Sequence, residues 1–227
     1  MRDNIKDINY FKKKYQSENN RIEKFKNAIL ELDKTNVNGI KIGKIHLSNL
    51  YMNCVKLTYS MGYSCDKVFE YYVEYLKYYT DVCLSNDSIY DIIDILSIGV
   101  LFIKKKNIFI EYLRRIMKDS FIEDGLIICL FQYLENGKIQ KERSQFDYFN
   151  DLCVTNEKEM VLINELNKWY HEHYDAYWYN SHKSVNDTYC GYWCFEVAAL
   201  AKIFNVDDTC LKSNKFYPYD LAHYELI

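Results

Sequence analysis

Proline occurs once in this 227-residue chain, at Pro218, and glycine only seven times. These two residues are the strongest local breakers of regular structure, and many short strands need them in their turns. A chain so poor in both is best suited to long helices joined by brief connections. Apolar spacing agrees. Residues 3–33 place Ile8, Phe11, Tyr15, Ile22, Phe25, Ile29 and Leu32 at helical intervals with charges elsewhere. TNVNGIKIGK (35–44) reads as a break holding a short extended piece. A second helix over 45–60 ends at Gly62, a C-cap glycine, and Ser64 caps the next, in which Val68, Tyr72, Tyr75, Leu76 and Tyr79 form one stripe. Asp87 opens a further helix, and others are expected over 104–119, 123–136, 144–153, 156–174 and 189–204. No stretch alternates with period two. The expected fold class is all-α, a compact multi-helix array of about eight to ten helices.

Apolar residues make up 49% of the chain, enough for a sizeable core. The most apolar windows, 93–103 and 126–134, are about half the length of a membrane span and bounded by charge, so neither a signal peptide nor a membrane span is expected. Eight cysteines lie scattered on apolar faces, which fits buried thiols in a reduced, cytoplasmic chain.

Charge is unevenly divided. Residues 1–118 carry 20 Lys and Arg against 14 Asp and Glu, whereas residues 119–227 carry 9 against 18. An acidic half is ill-suited to binding nucleic acid directly. It suits a basic partner, whose approach an opposite field accelerates. The same carboxylates also simply solvate a surface.

Motifs for catalysis are missing. There is no G-x-S-x-G, no phosphate-cradling glycine loop and no H-E-x-x-H. His171, His173, His182, Cys190 and Cys194 fall within 24 residues and are metal-ligand types. However, no C-x2-C pair is present, and histidines two apart diverge on a helix. The reading therefore assigns no catalytic, metal-ligating or cofactor-binding residue, and no cofactor.

YCGYWCFEVAAL (189–200) sets a sharper question, because Glu196 stands alone in the most apolar part of the chain. Projected on a helix, Tyr189, Trp193, Val197, Leu200 and Phe204 share one side, and the remaining sides are apolar or small. A helix apolar all round is central. Its carboxylate then needs internal donors or must stay neutral. Candidate donors are the indoles of Trp169 and Trp178, tyrosine hydroxyls, His182 and Arg143, and the expected role is a tie between helices.

The segment GYWCFEVAALAKIFNVDDTCL, followed by FYPYDLAHY (191–224), resembles the carboxy-terminal domain of the PoNe immunity protein family. The resemblance rests on Gly191, Tyr192, Trp193, Phe195, Glu196, Ala198, Ala199, Asp207, Asp208, Tyr217, Pro218, Asp220 and Leu221, with Trp169, Trp178 and His182 before them. YSMGYSCDKVFEYYVEYLKYY (59–79) is similar, more loosely, to the domain that accompanies it. The resemblance implies two helical regions, 1–95 and 96–227, packed as one unit, and a non-enzymatic protein that neutralises a cognate toxin exchanged between competing bacteria. In the family that toxin is a DNase of the polymorphic nuclease effector group. Trp193, Glu196, Tyr217 and Pro218 are then structural. Contacts to the toxin's basic cleft are sought among acidic residues on loops and helix ends: Asp175, Asp187, Asp207, Asp208 and Asp220. Exposed members of the 23 tyrosines would supply aromatic anchors. Two alternatives remain at this point: a helical module that binds or regulates another protein without antitoxin activity, and a metal-dependent enzyme using the His/Cys grouping.

Overall fold

The computed structural model describes residues 1–83, 88–120 and 123–224. Ten α-helices form the architecture, and no strand occurs among the described residues, so the all-α expectation holds. The chain makes two compact units, one of Met1–Cys83 with Asn180–Tyr192, the other of Leu84–Tyr179 with Trp193–Ile227.

In the first unit α1 (Ile8–Glu31), α2 (Val37–Met61) and α3 (Cys65–Tyr79) form a three-helix layer in which α2 packs against both others. Asp7 caps α1 by accepting from the Tyr10 N–H. Gly62 closes α2 in the left-handed region (φ 85°), and Ser64 caps α3 through the Lys67 N–H, both as the sequence predicts. The stripe Val68, Tyr72, Tyr75, Leu76 and Tyr79 is buried.

TNVNGIKIGK is a correction. The break covers only 32–36, and α2 already begins at Val37 with Asn36 accepting from the Gly39 N–H. Gly43 lies inside α2, and a Cβ there would meet the Ile29 side chain at 2.6 Å. That glycine is a close-approach residue between α1 and α2, which composition alone reads as a breaker.

The returning segment Asn180–Tyr192 is tied to this unit by tyrosines. The Tyr10 hydroxyl donates to the Tyr189 carbonyl and accepts from the Tyr189 N–H, both at 3.0 Å, and Tyr189 donates its own hydroxyl to buried Asp3. Glu18, fully buried on α1, is held by Lys14, Arg21 and Asn53.

The second unit contains α4 (Ile89–Leu101), α5 (Lys106–Ser120), α6 (Gly125–Asn136), α7 (Asp147–Val154), α8 (Lys158–Glu172), α9 (Phe195–Ile203) and the single turn α10 (Tyr219–Ala222). Asp87, the expected opening of α4, lies outside the described residues, and Ser88 stands at the N-cap. Ile92, Ile93 and all of Ile95–Leu101 are buried, as are Phe195–Ala201, so α4 and α9 are both central and pack on one another. The chain between α6 and α7 folds back over the start of α6. There, Asp124 accepts from the Leu126 N–H, the Ser144 hydroxyl and the Gln145 N–H, and Gly125 donates to the Arg143 carbonyl.

The expected helix over 189–204 is also corrected. It starts at Phe195, not Tyr189. Helical hydrogen bonds before that point are pre-empted: Tyr189 is taken by Tyr10, the Cys190 carbonyl accepts from Ser60, Gly191 sits at φ 120°, and Cys194 donates to the Phe216 carbonyl. Tyr189 and Trp193 are therefore buried outside any helix and do not belong to a helical stripe.

Candidate partner-binding site

Glu196 lies in the first turn of α9 and Trp169 near the end of α8. The indole Nε1 of Trp169 donates to Glu196 Oε1 at 2.5 Å, and both side chains are buried. Of the donors considered from sequence, the Trp169 indole reaches the carboxyl. Trp178 stacks on Trp169 with ring centroids 5.1 Å apart, His182 belongs to the first unit, where it meets the Tyr192 hydroxyl at 2.9 Å, and the Arg143 side chain is exposed.

Burial is the largest influence on Glu196, and it pushes the carboxyl up to about 8, with the nearby carboxylates Asp94 and Glu165 adding to the rise. A hydrogen bond from the Cys194 thiol and one from its own backbone oppose it. At neutral pH the group is therefore mostly an uncharged acid, able to accept from Trp169 at no cost of a buried charge. Burial also raises Glu165, although Lys168 stands 3.1 Å from one of its oxygens.

This tie forms the floor of a turn, residues 173–179, that follows α8. His173 N–H closes on the Trp169 carbonyl, Ala176 N–H on His173, and Tyr179 N–H on Ala176. The ring of His173 lies 4.7 Å from that of Tyr90 and stacks on Trp178 at 5.6 Å. Tyr179 sits 4.8 Å from Tyr170, which itself stacks on Phe216. His173, Trp178 and Tyr179 thus face the aromatic floor. Tyr174, Asp175 and Tyr177 are exposed.

The acidic candidates separate by burial. Asp175, Asp207 and Asp220 are exposed, and Asp187 is half-exposed with Lys13 at 3.1 Å. Asp207 accepts from the backbone and hydroxyl of Thr209, which hold its carboxyl below the usual range. Asp208 is interior: Tyr217 donates to one oxygen at 2.5 Å and His223 Nε2 stands 3.1 Å from the other. A carboxylate so enclosed is part of the packing around the Tyr217–Pro218 turn. In the acidic half, Asp124, Glu165, Glu196 and Asp208 are buried, so four of its 18 carboxylates do not contribute to the surface.

The His/Cys grouping does not converge. Among the described residues no group of three or more His, Cys, Asp or Glu is placed to share a metal ion. His173 points its Nδ1 at the Trp169 carbonyl, and the Cys190 thiol faces the Thr188 carbonyl. Burial pushes Cys190 up to about 12 and Cys194 well above its ordinary value, so neither is a ready thiolate.

Exposed tyrosines were not assigned from sequence. Of 23, only Tyr63, Tyr174 and Tyr177 are exposed. The available signal was the loss of helical period in HYDAYWYN after α8, which marks a turn but not the direction of each ring.

Two family models match the chain: "PoNe immunity protein (PoNi), N-terminal" over residues 2–114 and "PoNe immunity proteins (PoNi), C-terminal" over residues 122–221. Among solved structures, the chain is similar to the crystal structure of protein PA2201 from Pseudomonas aeruginosa. The two are 15% identical with a TM-score of 0.75, over 98% of this chain and 89% of that one. At that identity the likeness is one of fold. No curated protein matches the chain.

Proposed function

This chain belongs to the PoNe immunity protein family, and from that premise we propose that it protects the cell that makes it by binding a cognate nuclease toxin and holding it inactive, molecule for molecule. The observation that carries the reading is the match of both family models, which together span nearly the whole chain. The work of such a protein is recognition. A well-packed helical scaffold suits it, since a preorganised surface loses little freedom on binding.

We read the toxin as a DNase and the site of action as the cytoplasm, where its DNA substrate lies. A nuclease cleft must attract a polyanion, so its rim is basic. Exposed carboxylates such as Asp175, Asp207 and Asp220 fit that rim by charge, and they would steer the encounter as well as cover the cleft. Asp187 is a weaker candidate because Lys13 already meets it, and Asp208 would have to leave Tyr217 and His223.

The test is co-expression with the toxin encoded beside this chain's gene. Cells making both should survive, and the two proteins should purify as an equimolar complex. Death of the cells with no complex formed would remove the immunity reading and leave a helical regulatory module in its place.

A further inference from the structure

We propose that the turn 173–179 is the surface by which this protein grips its toxin, with Tyr174 and Tyr177 as aromatic anchors and Asp175 as the charge between them. The partner it fits is a basic protein surface carrying shallow apolar pockets. The proposal rests on the immunity reading above and assigns it a place on the molecule.

Three observations converge on this turn. In a chain with 23 tyrosines, only Tyr63, Tyr174 and Tyr177 are exposed, at 44%, 73% and 80%, and two of the three lie within four residues. Large aromatics are enriched among the residues that dominate protein interfaces. Second, charge on this stretch is acidic. Asp175 is the exposed charge of the turn itself, and Glu172 just before it is also exposed, with Lys168 at 3.2 Å from one of its oxygens. Negative charge argues against a base-stacking role and for a basic protein partner.

Third, the turn is rigid at its base. Trp178 stacks on Trp169, His173 and Tyr179 pack tilted against Tyr90 and Tyr170, and Trp169 is in turn held by Glu196. A loop fixed this way presents its outward rings already ordered, which reduces the entropy lost on binding. The Glu196–Trp169 tie then has a functional consequence without touching the partner: it is the positioning contact beneath the anchors.

The experiment measures binding of a catalytically inactive form of the adjacent-gene toxin to the full-length chain. Tyr174→Ala/Tyr177→Ala is expected to weaken Kd by roughly 100-fold or more, with the fold retained because both side chains are mostly exposed, at 73% and 80%. Asp175→Lys is expected to slow association about 10-fold at low salt. Tyr63→Ala, the exposed tyrosine of the other unit, should stay within about 3-fold of the parent. As a second readout on the unmodified protein, oxidative footprinting should show Tyr174 and Tyr177 protected in the complex. If the parent binds and the double variant binds equally, or both rings stay fully reactive in the complex, the turn is not the contact and the immunity reading survives. If the parent itself does not bind, both fall. A single-stranded oligonucleotide that binds the parent and is lost with the double variant would also overturn the proposal, since the rings would then serve base stacking.

Discussion

The indole N–H of Trp169 on α8 reaches the carboxyl of Glu196 on α9 at 2.5 Å, inside a unit where the charges acting on that carboxyl, Asp94 and Glu165, share its sign. Glu18 in the other unit is the contrast: equally buried, it is matched by Lys14, Arg21 and Asn53. One carboxyl is met by two cations and an amide, whereas the other is met by an indole N–H and is held mainly as an acid by burial. This difference makes Glu196 testable on its own.

Removing the carboxyl should cost more than replacing it with an amide. Glu196→Ala leaves the Trp169 indole without its acceptor and opens a cavity, which together cost about 2–4 kcal/mol. Glu196→Gln keeps an acceptor oxygen at nearly the same volume and should cost under about 1 kcal/mol. Trp169→Phe keeps most of the ring but removes the donor, and should fall between them. Urea denaturation of the three variants at pH 7 checks the order, and equal losses for Ala and Gln would show that packing, not the hydrogen bond, dominates.

Stability should also depend on pH through this residue. The carboxyl releases its proton at an ordinary 4.5 when unfolded and at about 8 when folded. Between those values the folded chain holds the extra proton, so the contribution is fully present below about pH 4.5 and is lost as pH rises through 8. The loss is on the order of 5 kcal/mol. Burial raises Asp3 and Glu165 in the same direction, so the parent curve sums several groups. The difference between parent and Glu196→Gln isolates the one, and it should favour the variant increasingly from pH 6 to pH 9. A constant difference would contradict a raised carboxyl.

Much of this was readable in the sequence because it follows from local chemistry. Gly62 and Ser64 cap where their residue types allow, and the Val68–Tyr79 stripe is buried because its spacing leaves it one face. The central character of α9 follows from a run with no polar side to turn outward. What was not readable depends on distant partners. Nothing near Tyr189 announces that Tyr10, 179 residues away in sequence, takes both of its backbone groups and so delays α9 to Phe195. Gly43 reads as a breaker until Ile29 is seen against it, and Asp208 as a surface charge until Tyr217 and His223 enclose it. Tyr174 and Tyr177 look like the other tyrosines until all the rest but Tyr63 are found buried or half-buried.

Gly125 offers a separate test of the second unit. A Cβ there would lie 2.1 Å from the Glu142 carbonyl oxygen and 2.7 Å from the Arg143 carbonyl carbon, both backbone atoms that cannot rotate away. Gly125→Ala should therefore push the 142–145 loop off α6 and disturb the bonds that Ser144 and Gln145 make to Asp124. A loss of at least ~2 kcal/mol is expected by thermal unfolding. A neutral substitution would mean the loop adjusts freely.

Tyr217→Phe examines the motif turn. The hydroxyl donates to one oxygen of buried Asp208, and its removal strips that oxygen of this donor while His223 stays at the other. The expected cost is about 1–3 kcal/mol, read as a lower melting temperature. Because the change lies inside the packing, toxin affinity measured well below that temperature should be unaltered. A variant of full stability with lost affinity would move Asp208 from the interior to the binding surface.

The central claim is that this chain inhibits a nuclease by binding it one to one. The most direct measurement is DNA cleavage by the purified toxin of the adjacent gene, titrated with the purified chain. Cleavage should fall linearly and end at one molar equivalent, with the end point unmoved by further chain. Undiminished cleavage at a tenfold molar excess of correctly folded chain would contradict the account.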